Sequence, residues 1–328
     1  MSTTIKASEL GHQHIGYLHN GCPVANARRE GRPGHLAGPQ AQGGAAVTVY
    51  RYDELDEDAY HRHPALSVST AKRLLKPGGP AKVKWDLDHG RTERRVFDLG
   101  HAAHKLVLGV GAEIVDVGID LRTKAAQEAE REARADGKVP LRTADCTVVL
   151  AMAEQLQRHP LAAELFSDGT PELSLFGTDP VAGTKIRGRV DWLRPDGTLV
   201  DYKTSENAAE KKFATSALDF GYHMQAPWYL DLAAQLDLGA ERFLFVVQEK
   251  KAPYLVNVIE LDSDFLALGR EHNRMAIDLW VECHATGQWP GYDAEVTTVA
   301  PPHWVRPRTP RTDLDAELLA ELNRLANL

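Results

Sequence analysis

The segment "KIRGRVDWLRPDGTLVDYKT" (185–204) constrains the fold of this chain more than any other. Two strand-like runs flank "RPDGT", where Pro195 suits the first corner of a type I turn and Gly197 suits the left-handed position that follows. Such a turn closes a three-residue hairpin loop with a glycine bulge. In that register Arg194 faces Thr198, and counting back along both strands sets Asp191 opposite Asp201 with their Cβ atoms roughly 5 Å apart. Strand alternation places Lys203 on the face of Asp201, about 6 to 7 Å further on, and Arg187 and Arg189 are expected to join them from the first strand. The opposite face would carry Ile186, Val190, Trp192, Val200 and Tyr202, as a sheet packed on a core requires. A two-residue turn at Asp196 and Gly197 would set Asp191 against Tyr202 and mix the faces, so the pattern disfavours it.

Two carboxylates held this close repel each other unless a cation or a proton sits between them. Oxygen ligands of this kind suit Mg²⁺ or Mn²⁺, which keep several waters and accept a phosphate oxygen. A lysine beside such an ion can position or help activate an attacking water, while the ion stabilises charge developing on phosphoryl oxygens. Those parts make a phosphodiester hydrolase. A surface ladder of Asp with Arg and Lys is the competing reading of the same hairpin, and D-x-K alone does not choose between them.

The rest of the chain bounds the setting. No run of its 328 residues approaches the length of a membrane span, and the N-terminus lacks the layout of a signal peptide, so a cytoplasmic protein without membrane contact is expected. Cys22, Cys146 and Cys283 are too few and too scattered for a disulfide framework or a four-thiolate site. A net charge of −8 argues mildly against nucleic acid, but "AKRLLKPGGPAKVKWDLDHGRTERR" (71–95) is strongly basic and offers a cationic patch or a solvated charged surface. Residues 1–48 are rich in Gly, His, Ala and Pro and read as a mobile arm, in which His12, His14, His19 and Cys22 could bind a soft metal but, without ordered flanks, read rather as an incidental polar tail. A folded domain is expected over 49–305, with a linker and helix over 306–328.

Within the domain, "SVSTAKRLL" carries a Ser or Thr cap ahead of a short helix. Helical spacing marks Glu93–Leu108, the stretch ending at Gly137, and "TADCTVVLAMAEQLQRH" stopped before Pro160. Strands follow at "ELSLFGTD", "KIRGRVDWL" and "TLVDYKT", then a helix over "DFGYHMQAPWYLDLAAQL" despite Pro227. Strands at "RFLFVVQEK" and "YLVNVIEL", a long helix from about 262 to 284 and a last one from about 312 complete the chain. The fold class is α/β (α+β).

"GRVDWLRPDGTLVDYKT" resembles the D-xₙ-D-x-K core of the PD-(D/E)XK nuclease superfamily. Gln225 and Tyr229 in "YHMQAPWYL" have the Q-x-x-x-Y spacing of its RecB-like branch, and Gly100 and His104 in "LGHAAHKLVLG" resemble that branch's first motif. With "LSVSTAKRLLK", Glu172 opening "ELSLFG" and "GQWPGY…PPHW", the order is similar to the phage-type exodeoxyribonuclease VIII (RecE-like) group over about residues 60–305. The resemblance implies a restriction-endonuclease-like core, a mixed central sheet flanked by helices, and Mg²⁺-dependent degradation of linear double-stranded DNA, 5′ to 3′ in related enzymes. It further implies double-stranded DNA ends as substrate, a single-strand annealing partner in phage recombination, and a homo-oligomer. By it His104, Asp191 and Asp201 bind metal, with the backbone carbonyl of Tyr202 and Glu172 as further ligands. Lys203 serves the water, and Gln225 and Tyr229 orient the lysine or hold DNA. His101, one turn before His104, is an alternative histidine, Gln225 could cap a local polar gap, and Tyr229 could be core. An endonuclease on the same core and a non-catalytic DNA-binding relative are the alternatives. Three scattered cysteines cannot supply the iron–sulfur cluster of some RecB-like nucleases, and no G-x-x-x-x-G-K-[ST] loop for ATP use is present.

Overall fold

The computed structural model describes residues 3–4, 50–52, 55–90, 98–109, 113–302 and 320–325. The chain divides into two compact units, Met1–Gly291 and Tyr292–Leu328. Both boundaries expected from the sequence, at 48/49 and 305/306, and most of the arm over 1–48 fall outside the described residues. So does the start of the expected C-terminal helix, of which residues 320–325 are helical.

The first unit opens with β1 (Thr3–Thr4), β2 (Tyr50–Tyr52), α1 (Glu57–Arg62), β3 (Leu66–Ser67), α2 (Val68–Leu74) and α3 (Gly79–His89). Ser67 caps α2, its hydroxyl accepting the Thr70 N–H over 3.2 Å. Next come α4 (Asp98–Leu108), β4 (Ile114–Asp116), α5 (Lys124–Ala135), β5 (Val139–Leu141), α6 (Thr143–Arg158) and α7 (Pro160–Leu165). Thr123 caps α5, and Pro160 opens α7 at a first-turn position where its missing N–H costs nothing. The remaining elements are β6 (Thr170–Thr178), β7 (Lys185–Leu193), β8 (Leu199–Ser205), α8 (Glu210–Asp219), α9 (Tyr222–Gln235), β9 (Phe243–Glu249), β10 (Val256–Glu260) and α10 (Ser263–Thr286).

The central sheet runs β10-β9-β8-β7-β6-β2, with β3 paired to β7, and it is mixed. Strands β8 and β9 are parallel, which requires a crossover, and α8 and α9 provide it. Strands β7 and β8 form the hairpin, with β6 antiparallel on the other side of β7. Alternation on β9 shows that both faces are covered: Phe243, Phe245 and Val247 join a core with α2, α8, α9 and α10, while Leu244 and Val246 join another with α4, α6 and α7. This is the mixed sheet flanked by helices expected of the fold class. A second, three-stranded sheet is ordered β1-β4-β5.

The expected apolar face of the hairpin is corrected. Ile186 and Val190 lie in the core under α9, whereas Trp192, Val200 and Tyr202 lie in the core on the other face. Arg187 and Arg189 do not face the acids either: their guanidinium groups stack on Tyr60 at 4.6 and 4.3 Å from the ring centre. They donate to the carbonyls of Ala65 and Leu55. The reason is a break in alternation beside Asp191. Paired residues run from Thr170↔Leu193 and Pro171↔Trp192 to Leu173↔Val190, and Glu172, at the intervening rung, has φ of +49°. Glu172 therefore sits inside β6 as a kink and does not open the strand.

Helix α9 carries Pro227 in its interior. A proline there cannot donate to the carbonyl four residues earlier, that of His223. Helix α10 packs against this spot through Gly269, where a Cβ would lie 1.8 Å from the His223 carbonyl oxygen.

Candidate active site

The site lies where the sheet forks. Strand β7 pairs with β3 at Ile186 and Arg187, and with β8 only at Trp192↔Val200 and Leu193↔Leu199. The turn holds the expected register, with Arg194 N–H donating to the Thr198 carbonyl and Gly197 N–H to the Arg194 carbonyl, each over 3.0 Å. That register aligns Asp191 with Asp201, but at this rung the strands part. The Tyr202 N–H, instead of joining a backbone ladder, donates to Asp191 Oδ2 over 2.9 Å.

Asp201 has no exposed surface. Gln225 Nε2 donates to its Oδ1 over 2.5 Å, and Lys203 Nζ lies 2.6 Å from its Oδ2. The ammonium is close but poorly aligned, so Oδ2 is buried without a directed hydrogen bond. Burial first, and the Asp191 charge second, raise the Asp201 carboxyl above the usual carboxylate range. For Lys203, burial favours the neutral amine, but Asp201, Asp191 and Tyr222 outweigh it and the group stays a cation. Glu172, half-buried at its kink, is pushed up to about 7 by burial and by the Asp191 charge. The Asp191 charge thus acts on both Asp201 and Glu172.

His104 on α4 approaches from the far face, its Nδ1 3.7 Å from Asp191 Oδ2 and its ring edge-on to that of Tyr202. The gap exceeds a hydrogen bond. The side chain of His101 lies outside the described residues. Tyr229 is buried beneath Gly188, where a Cβ would come within 2.7 Å of its ring. Gln225 donates to Asp201, the carboxylate that also meets Lys203, and Tyr229 is packed among core residues.

Two residues not singled out from the sequence complete the cluster. Lys72 on α2 donates from Nζ to Gln225 Oε1 over 3.1 Å, and burial, then the Lys203 charge, lowers its affinity for a proton. Tyr222, at the start of α9, lies under both ammoniums, 5.5 Å from Lys72 Nζ and 5.3 Å from Lys203 Nζ. Lys72 sits in the quoted run "LSVSTAKRLLK", which was the one available signal. The basic stretch 71–95 is less free than its composition implies: Arg73 pairs with Asp86 and Lys84 with Asp88, each at 2.5 Å. Arg91, Arg94 and Arg95 lie outside the described residues.

Among the described residues no three His, Cys, Asp or Glu groups converge as a ready-made cage. The donor set still fits a hard divalent cation: a buried carboxylate oxygen of Asp201 without a directed donor, the Asp191 carboxylate beside it, and the crowded Glu172.

A mixed sheet whose central hairpin offers one acid from each strand, with a lysine two residues past the second acid, is the arrangement of a PD-(D/E)XK domain. Residues 67–299 match the family described as "PDDEXK-like domain of unknown function (DUF3799)", and the chain belongs to that family. Among solved structures, a protein of Eubacterium rectale described as a "putative exonuclease" superposes with a TM-score of 0.53 at 13% identity, covering 80% of this chain and 98% of that one. At that identity the likeness is one of fold. A second structure, that of SSO0001, shares 18% identity over 56% of this chain and 86% of its own, with a TM-score of 0.26 that carries no argument. No curated protein sequence matches the chain. The family gives the chain a PDDEXK-like domain, and the fold neighbour is similar to it in fold. Among the described residues no helix is long and apolar enough to cross a membrane.

Proposed function

We propose that the chain is a Mg²⁺-dependent deoxyribonuclease, with Mn²⁺ able to substitute, that degrades linear double-stranded DNA from its ends. The observation that carries this reading is that Asp191 and Asp201 stand one rung beyond the last paired residues of the hairpin, with Tyr202 N–H donating to Asp191 Oδ2 and Lys203 Nζ 2.6 Å from Asp201 Oδ2. Asp191 and Asp201 would hold the ion with His104, and the backbone carbonyl of Tyr202 and Glu172 would be its further oxygen ligands. Bound there, the ion would supply a more acidic water and stabilise charge on the phosphoryl oxygens. Gln225 fixes the buried carboxylate of Asp201 by donating to Oδ1. Lys203, kept a cation by both acids, aims donors at the attacking water or the phosphoryl oxygen.

Exonucleolytic action is favoured over endonucleolytic by the description of the E. rectale fold neighbour and by the RecE-like motif order. The same motif order favours 5′ to 3′ polarity, a role in phage-type recombination, a single-strand annealing partner and a homo-oligomeric state. The test is a time course on linear duplexes labelled at the 5′ or the 3′ end, alongside covalently closed circles, with Mg²⁺ and with chelator. Release of the 5′ label first, from linear DNA only, and only with Mg²⁺, is expected of the wild type, with Lys203→Ala inactive. Cleavage of closed circles would replace the exonuclease with an endonuclease. Equal activity of Lys203→Ala would remove the site.

A further inference from the structure

The turn between α8 and α9 places an aromatic side chain in solvent, next to the Tyr222 ring that lies under Lys203. Phe220 is 62% exposed, on a molecule whose other phenylalanines near the site, Phe213, Phe243 and Phe245, are buried. Its ring centre lies 5.8 Å from that of Tyr222, which in turn stacks on Phe213 at 5.7 Å with an angle of 18° between planes. Tyr222 carries the ammoniums of Lys203 and Lys72 over its ring. An unbroken aromatic path therefore leads from the catalytic lysine to the surface.

The turn is built to hold Phe220 out. Gly221 adopts φ of +69°, a left-handed conformation that costs glycine little and reverses the chain between Phe220 and Tyr222. A Cβ on Gly221 would lie 2.9 Å from Lys72 Cγ, so the lysine stem runs across the glycine. Just past the end of α2, Lys76 Nζ donates to the Asp219 carbonyl over 2.7 Å. Lys72 on α2 and Lys76 beyond its end thus both meet the turn, and Lys76 is itself exposed. An occupant of this place needs a flat apolar face for Phe220 and negative charge for the exposed Lys76 ammonium. A nucleobase with its own phosphates has both, whereas an apolar peptide would bring that cation no counter-charge.

We infer that Phe220, backed by Tyr222 and flanked by Lys72 and Lys76, is a stacking platform for an unpaired nucleobase of the strand whose phosphate lies at Asp201 and Lys203. This rests on the nuclease reading for its placement and deepens it: the substrate presents at least one unstacked base at the site. A duplex end must then fray before it is cut. Base stacking on an aromatic side chain is sequence-tolerant, so the platform holds any of the four bases.

The test uses the full chain with chelator present, so that nothing is cut. Fluorescein-labelled, 5′-phosphorylated oligothymidylate of ten nucleotides is titrated by anisotropy against wild type, Phe220→Ala and Phe220→Trp, with melting curves to confirm that each folds. Phe220→Ala is expected to bind about 5- to 150-fold more weakly, while inorganic tripolyphosphate competes equally with wild type and variant. Phe220→Trp is expected to restore binding, and its emission to be quenched by the oligonucleotide. An abasic oligonucleotide of equal length should bind wild type as weakly as oligothymidylate binds Phe220→Ala. Unchanged binding by Phe220→Ala, or equal binding of abasic and base-bearing strands to wild type, overturns the inference. Activity assays on the same preparations keep the two readings apart. Base-dependent binding that needs Phe220, in a wild type that cuts nothing with Mg²⁺ or Mn²⁺, would sink the nuclease and leave the platform.

Discussion

Lys72 donates to Gln225 Oε1, and that bond settles which end of the Gln225 amide meets Asp201. An amide presents an acceptor at one end and donors at the other. With its oxygen held by an ammonium, its nitrogen is left to donate to the buried carboxylate. Flipped, it would set an oxygen against an oxygen. Lys72→Met is therefore expected to lower kcat on linear duplex about 10- to 100-fold, a cost of about 1–3 kcal/mol for a misdirected buried group. The KM should move much less, because Asp201 rather than the DNA loses its partner. Steady-state kinetics on Lys72→Met and Lys72→Arg decides it. Full kcat in a folded Lys72→Met protein would show that Gln225 needs no such key.

Two close approaches to α9 predict unequal effects. At Gly188 an added Cβ meets the Tyr229 ring at 2.7 Å, and a side chain can yield. At Gly269 it meets the His223 carbonyl oxygen at 1.8 Å, and that backbone is fixed by the helix around Pro227. Gly188→Ala is expected to destabilise by about 1–3 kcal/mol, and Gly269→Ala by more, even after the helix propensity alanine regains. Thermal melts of the two variants settle the order. Equal melting temperatures would mean that α10 can shift away from α9 freely.

A histidine pair ties α9 to α10 and gives stability a pH dependence. His223 Nδ1 is 2.7 Å from the Ala217 carbonyl and its Nε2 is 2.8 Å from His272 Nδ1. The carbonyl can only accept, so Nδ1 carries a proton, and in neutral His223 Nε2 then accepts from His272. Burial, chiefly, lowers the His223 pKa below 6.5. A depressed folded pKa means the stabilisation is complete above the unfolded value of 6.5 and is lost as pH falls through the folded one. The margin in melting temperature of wild type over His223→Gln should therefore shrink between about pH 7 and pH 5. A margin constant across that range would assign the pair no such role.

Local chemistry was legible in the sequence and long-range chemistry was not. Pro195 and Gly197 specify their own turn, so the register that opposes Asp191 to Asp201 followed from five residues. The kink at Glu172 had no comparable signal, since a glutamate at φ of +49° is selected by its surroundings. Missing it transferred Ile186 and Val190 to the wrong face and left Arg187 and Arg189 pointing at the acids. Helix α3 was missed because "GPAKVKWDLDH" buries only Gly79, Pro80 and Val83 and shows no apolar period. Lys72 meets Gln225 across 153 positions of chain, and no spacing rule connects residues that far apart.

The acids themselves predict how the protein responds to a divalent cation. Asp201 is fully buried near Asp191, and the carboxylate of Glu172 is resisted by both burial and the Asp191 charge. A cation that relieves this repulsion binds the folded chain alone and stabilises it by mass action. At 100 times its Kd the gain is about 2.7 kcal/mol, which corresponds to a rise in melting temperature of about 5 to 10 °C. Mg²⁺ and Mn²⁺ should both produce it, and chelator should reverse it. Asp191→Asn and Asp201→Asn should abolish the rise, since an amide neither repels its neighbour nor attracts the ion as a carboxylate does. Lys203→Ala should keep it while losing hydrolysis, which separates holding the ion from using it. If both asparagine variants were stabilised as much as wild type, the ion would bind elsewhere and the fork would not be its site.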